Sequence, residues 1–221
     1  GSALAEGSHN IRAIQTDTAG NISSASGTLS LTVDTQAPSG HSISVDDSTI
    51  NGTEASNTSF TFSSATGGAD YSVTVTSDGG GGTVTDAGTV GSADEQITGL
   101  DVSSLADGSL TYSVTLTDPA GNTSTAVTDT ATLDTTAPGI ASVGTNVTSD
   151  TISDSDVGAG TFTLTVDFNE AMNTGVVPTV GFPTGGENPT GTVSNENLSW
   201  SDSDTLTVAF DVTDADEVVQ D

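Results

Sequence analysis

The chain has 221 residues, with 30 acidic side chains against a single basic one, Arg12, and a formal charge of −29. That balance excludes nucleic acid as a partner, because nothing here displaces counterions from phosphates, and it disfavours anionic membrane surfaces. The chain has no cysteine, which excludes disulfides, thiolate metal sites and cysteine nucleophiles, and no stretch reaches the roughly 18 apolar residues of a membrane helix.

The carboxylates are not gathered into an acidic tail. They are dispersed among alternating runs of Val, Ile, Leu, Phe and Thr, which predict strands. In chain order, residues 3–34 read as two strands joined around Asp17-Thr18-Ala19-Gly20-Asn21. Residues 40–45 follow as a strand, then a loop from Asp46 to Glu54, then Phe60 and Phe62 around Thr61. Tyr71, Val73 and Val75 alternate with Ser72, Thr74 and Thr76 before the turn Gly79-Gly80-Gly81-Gly82. Leu110, Tyr112, Val114 and Leu116 alternate with hydroxyl residues and end at Asp118-Pro119-Ala120-Gly121-Asn122. Further on, Phe162 to Phe168 and Leu206 to Val212 show the same period of two. One wet face and one buried face per strand predict antiparallel sheets packed as sandwiches.

The sequence repeats itself. L-A-acid-G-S, D-x-A-G-N and D-T-x-A-P occur in that order in residues 4–38 and again in residues 105–138. Asp34 and Asp134 are 100 residues apart, and Asp17 and Asp118 are 101 apart. A period near 100 is the size of one β-sandwich and far above that of a solenoid repeat. Proline closes each D-T-x-A-P, so these segments predict short, stiff connectors. The expected division is 1–38 as the last two strands of one repeat plus a connector, 39–138 as a complete repeat, and 139–221 as a divergent repeat without its last two strands.

These three motifs, in fixed order and twice over, resemble the bacterial immunoglobulin-like repeats of giant surface adhesins, the Bap-like and RTX-type proteins exported by type I secretion. Val166-Asp167-Phe168-Asn169-Glu170 resembles a strand end of a related subtype. The resemblance implies an all-β chain of tandem, seven-stranded, Greek-key Ig-like sandwiches, used outside the cell as a structural extender, with calcium near the domain junctions. It also implies that the neighbours of each repeat are further repeats of the same chain.

On an Ig-like strand order, the Asp46–Glu54 loop, the corner holding Asp101 and Asp107, and Asp134 are expected at one pole. So many carboxylates repel unless a hard cation sits among them, and oxygen-only ligation suits calcium. Asp118 and Asn122 are expected beside Asp34 at the other pole. The resemblance carries calcium ligation onto Asp34, Asp118, Asn122 and Asp134, and more loosely onto Asp46, Asp47 and Glu54; with Asp107 these form the candidate metal set. The alternative for Asp17, Asn21, Asp118 and Asn122 is that they hydrogen-bond their own turns. Asp150, Asp154 and Asp156 are spaced like a calcium loop but lack the central Gly and terminal Glu of an EF-hand.

No catalytic set is expected. His9 and His41 are 32 residues apart across a connector, without a nucleophile or orienting group, and read as solvated surface residues. Paired carboxylates for glycoside hydrolysis would need an aromatic cleft, whereas Phe182 and Trp200 read as core. The expected role is therefore a non-enzymatic extender in adhesion and biofilm formation, the alternative being a module that binds a carbohydrate or a surface protein. The two strands of residues 3–34 are further expected to complete the open repeat of a second copy by strand exchange.

Overall fold

Threonine-rich alternation produces strands where the period of two predicts them, and among the described residues helix is confined to two single 3-10 turns, Thr148–Asp150 and Asp154–Asp156. The computed structural model describes residues 3–181 and 191–213 and divides into two units, residues 1–136 and 137–221. It is all-β and Ig-like in topology.

The first unit opens with a hairpin of β1 (Gly7–Ile11) and β2 (Leu29–Val33), with Gly7 opposite Val33 and Ile11 opposite Leu29. One face carries Ile11, Leu29 and Leu31, all exposed. The complete sandwich follows: β3 (Ser42–Val45), β4 (Thr49–Asn51), β5 (Thr58–Ser63), β6 (Asp70–Ser77), β7 (Thr83–Thr89), β8 (Gln96–Leu100), β9 (Gly108–Thr117) and β10 (Val127–Asp134). One sheet has the order β4-β10-β9-β6-β7 and the other β3-β5-β8. In Ig lettering these are A′-G-F-C-C′ and A-B-E, so seven strands arise if the broken first strand counts once.

That break corrects one expectation. The Asp46–Glu54 stretch is not all loop, since Thr49–Asn51 leave the first sheet and run parallel to Thr132–Asp134 in the second. The physical reason is Ile50, whose fully buried side chain anchors the switch. Between the sheets, Phe60 and Phe62 of β5 meet Tyr112 of β9 and Tyr71 of β6 edge to face, at centroid separations of 6.5 and 6.1 Å. The Tyr112 hydroxyl donates to Thr58 Oγ1 (3.0 Å), which donates to the Leu100 carbonyl (3.0 Å), so these two buried hydroxyls are satisfied across the core.

The second unit contributes β11 (Ile140–Thr145), β12 (Gly158–Phe168), β13 (Val193–Trp200) and β14 (Thr205–Val212), in the order β11-β12-β14-β13. This is the A-B-E-D order of one sheet of an Ig-like sandwich. Val166, Val193, Leu206, Val208, Phe210 and Val212 are buried, with Leu198 and Trp200 half-buried against them, as expected for Trp200. Phe182 lies outside the described residues.

Candidate functional site

At one pole of the complete sandwich, the turn after β9 satisfies itself. Asp118 Oδ1 accepts the N–H groups of Ala120 (2.9 Å) and Asn122 (2.9 Å), and Oδ2 accepts Asn122 Nδ2 (2.9 Å). Asp17 repeats this pattern with Ala19 (2.9 Å), Asn21 N (2.8 Å) and Asn21 Nδ2 (2.8 Å). Gly121 and Gly20 take φ values of +95° and +90°, which a side chain would strain. Each residue of D-x-A-G-N except the variable one thus has a structural task, the outcome that the alternative reading of these turns anticipated. Hydrogen bonds from the Asn122 side chain, then from its backbone, hold the Asp118 carboxyl below the ordinary carboxylate range, and Asn21 does the same for Asp17. Asn122 Nδ2 also reaches the carbonyl of Asp34 (3.2 Å), so Asp34, Asp118 and Asn122 do come together.

At the opposite pole the acid of L-A-D-G-S holds the connector. Asp107 Oδ1 accepts Thr135 N (2.9 Å) and Thr135 Oγ1 (2.8 Å), while Oδ2 accepts Thr136 Oγ1 (2.8 Å). The Thr135 side-chain bond is the largest influence keeping the Asp107 carboxyl below its ordinary value. Glu6 does the same one repeat earlier, accepting from both the N–H and the hydroxyl of Thr35. Asp134 Oδ1 accepts Thr136 N (3.2 Å), and Asp34 Oδ1 accepts Gln36 N at the same distance.

The remaining acids are spoken for separately. Asp46 turns onto the outer face of β3-β5-β8, where Ser59 Oγ (2.5 Å), Thr61 Oγ1 (2.8 Å) and Gln96 Nε2 (2.8 Å) donate to it. Burial there would raise its pKa, but the bonds from Ser59, Gln96 and Thr61 together outweigh it and lower the value. Glu54 Oε2 accepts Asn51 N (3.0 Å) while Asn51 Oδ1 accepts Glu54 N (3.2 Å), a reciprocal cap on the turn after β4. Asp47 is exposed, and Asp101 Oδ1 binds Ser103. Among the described residues, no three Asp, Glu or His side chains form a group that could hold a metal, so the expected convergence of Asp46, Asp47, Glu54, Asp107 and Asp134 is not found. In the second unit, Asp156 caps its own 3-10 turn through Ser153 N (2.8 Å) and Ser153 Oγ (2.9 Å).

His41 corrects another expectation: it is 8% exposed, not solvated, and neither ring nitrogen has a partner. His9 is half-exposed, with Nε2 2.7 Å from the Ala5 carbonyl. The residues that sequence reasoning missed are Thr35, Thr135 and Thr136. For Thr35 and Thr135 the signal was present, because the threonine of D-T-x-A-P and the acid of L-A-[DE]-G-S recur together in both copies; Thr136 stands at the variable position, where the first copy has Gln36, and carried none.

No family model and no curated protein matches the chain. Among solved structures it is similar to a tetra-tandem repeat in the extending region of a large adhesion protein, at 27% identity and TM-score 0.40, covering 75% of this chain and 39% of that one. It is similar also to a Ca2+-stabilized adhesin with which an Antarctic bacterium binds ice (27% identity, TM-score 0.31, 73% and 40% covered). A third is a 1.5-MDa bacterial ice-binding adhesin (24% identity, TM-score 0.32, 70% and 49% covered). The chain spans less than half the length of each.

Proposed function

We propose that the chain is a non-enzymatic extender segment of a bacterial cell-surface adhesin, exposed outside the cell and stiffened by calcium, serving adhesion and biofilm formation. The observation that supports it is the duplicated fastening of connector and turn. Glu6 with Thr35 and Asp107 with Thr135 share one geometry, as do Asp17 with Asn21 and Asp118 with Asn122. A repeat that fixes the path of the chain on leaving each sandwich suits a spacer. An extending region and a Ca2+-stabilized protein are among the similar structures, and the proposal gives this chain the same kind of role.

Calcium fits one pole better than the other. Around Asn122, the Asp34 carbonyl and Asp118 Oδ2 are oxygen donors set 3.2 and 2.9 Å from a single amide nitrogen. With that amide turned over, Asn122 Oδ1 would join them in an all-oxygen set suited to a hard cation. Asp134 and Asp107 would supply carboxylates at the other pole, in competition with the threonines that now occupy Asp107. Bound calcium supplies positive charge that offsets the mutual repulsion of a chain at −29.

An affinity of about 10⁻⁴ M is typical of extracellular modules, and a hundredfold excess of calcium over it adds about 2.7 kcal/mol. The melting temperature should therefore fall on chelation, and Asp118→Ala should remove part of that dependence. Identical melting with and without chelator would rule out the calcium part of the proposal. The second reading, a ligand-binding module, has one observation in its favour: an open groove of about 400 Å3 in the second unit, lined by Ile140, Val166, Phe168, Pro178, Val180 and Leu206. A glycan array probed with the intact chain would reveal it.

A further inference from the structure

The complete sandwich begins in β3 and β4 and ends in β10, and the first and last strands are neighbours. Thr49, Ile50 and Asn51 run parallel to Thr132, Leu133 and Asp134. Val45 N adds a bond to Asp129 Oδ2 of β10 (2.8 Å). When the two ends are drawn apart, parallel neighbours are dragged past each other along their length. Their ladder bonds are then strained together, whereas a pull across the ladder opens them one at a time.

Beyond the ladder, the connector does not hang from β10 alone. Thr135 and Thr136 place three donors on Asp107, the residue just before β9, the central strand of its sheet. Bonds to an ionised acceptor are the stronger kind. The corner around Asp107 is fastened in turn. The Ala106 carbonyl accepts Ser77 Oγ (2.7 Å), Ala106 N donates to the Gly80 carbonyl (3.1 Å), and Ser109 N donates to Asp78 Oδ1 (2.7 Å). The glycine turn makes this approach attainable. A Cβ on Gly79 would fall 2.1 Å from the Asp107 carbonyl oxygen, and one on Gly81 would fall 2.7 Å from Ala106 N.

We propose that Asp107 is a tension-carrying tie: force arriving along the connector passes through its carboxylate into β9 and, by way of the 77–80 turn, into β6. Glu6 and Thr35 form the same tie for the preceding hairpin. The inference rests on the extender reading only for the origin of the force. The mechanical property itself belongs to the fold and is measured without reference to that role.

The chain has no cysteine, so introduced pairs serve as handles. Ser39→Cys with Ala137→Cys pulls the sandwich through its ends, and Thr85→Cys with Thr98→Cys pulls across it. All measurements use the full chain in chelator, so no calcium-ligand role of Asp107 enters. Forced unfolding follows the unfolding rate. The unsubstituted sandwich should unfold at higher force end to end than across. Asp107→Ala should raise the end-to-end unfolding rate severalfold and leave the transverse rate unchanged, and Thr135→Val with Thr136→Val should reproduce this without touching the acid. Equal acceleration in both directions, or none in either, overturns the proposal. A loss of calcium-dependent melting with these results intact would sink the calcium reading and leave the tie standing.

Discussion

His41 lies immediately before the first strand of the complete sandwich, 8% exposed and with both ring nitrogens unpartnered. Burial lowers its pKa from the ordinary 6.5, since the charged ring has lost its water and gained no acceptor. As pH falls through 6.5 the unfolded chain takes up the proton before the folded one, so stability declines from there towards the lower folded value. The melting temperature should therefore fall between pH 7.5 and pH 5.5, and His41→Phe should flatten that slope; an unchanged slope in the variant would contradict the assignment. The lowered carboxyls of Asp107 and Asp118 act in a different window. Their contribution is present above the ordinary value of 3.8 and lost as pH falls through the folded values below it. The hydrogen bonds of the D-x-A-G-N turn were legible as one of two readings, beside calcium ligation by Asp118 and Asn122, because the partners lie within five residues. Sequence reasoning misread His41, since exposure depends on strands that arrive from far along the chain.

At the scale of elements, the alternation of apolar and hydroxyl residues was enough for the long strands. Leu110, Tyr112, Val114 and Leu116 are all fully buried, and the Thr and Ser residues between them are only half-buried. The three-residue β4 was not legible, because one isolated Ile50 carries no period and its partner in the ladder, Leu133, is remote. The expected gathering of carboxylates failed for a related reason. Loop placement brought Asp46 to the right end of the strand, but Ser59, Thr61 and Gln96 on neighbouring strands draw its side chain onto the sheet face. The aromatic contacts between sheets make Phe60 the side chain on which the two layers depend, fully buried against Phe62 (5.2 Å) and Tyr112 (6.5 Å). Phe60→Ala should cost about 3–5 kcal/mol, read from chemical denaturation of the full chain. A loss under 1 kcal/mol would mean that the core closes around the gap.

At the scale of the whole molecule, the repeated motifs gave the tandem character, and the two units carry Ig-like strand orders of different kinds. The hairpin of β1 and β2 repeats the register of β9 and β10, with Glu6 and Thr35 fastened as Asp107 and Thr135 are. A chain of −29 whose repeats bear oxygen-lined turns should respond to a divalent cation as a whole, because charge repulsion acts over all of it. Small-angle X-ray scattering of the full 221-residue chain tests this most directly, in calcium and then in chelator at matched ionic strength. The account predicts a sharply bounded distance distribution in calcium that broadens reversibly on chelation and is restored by calcium but not by an equal charge of sodium. Superimposable profiles under all three conditions would contradict a calcium-stiffened extender.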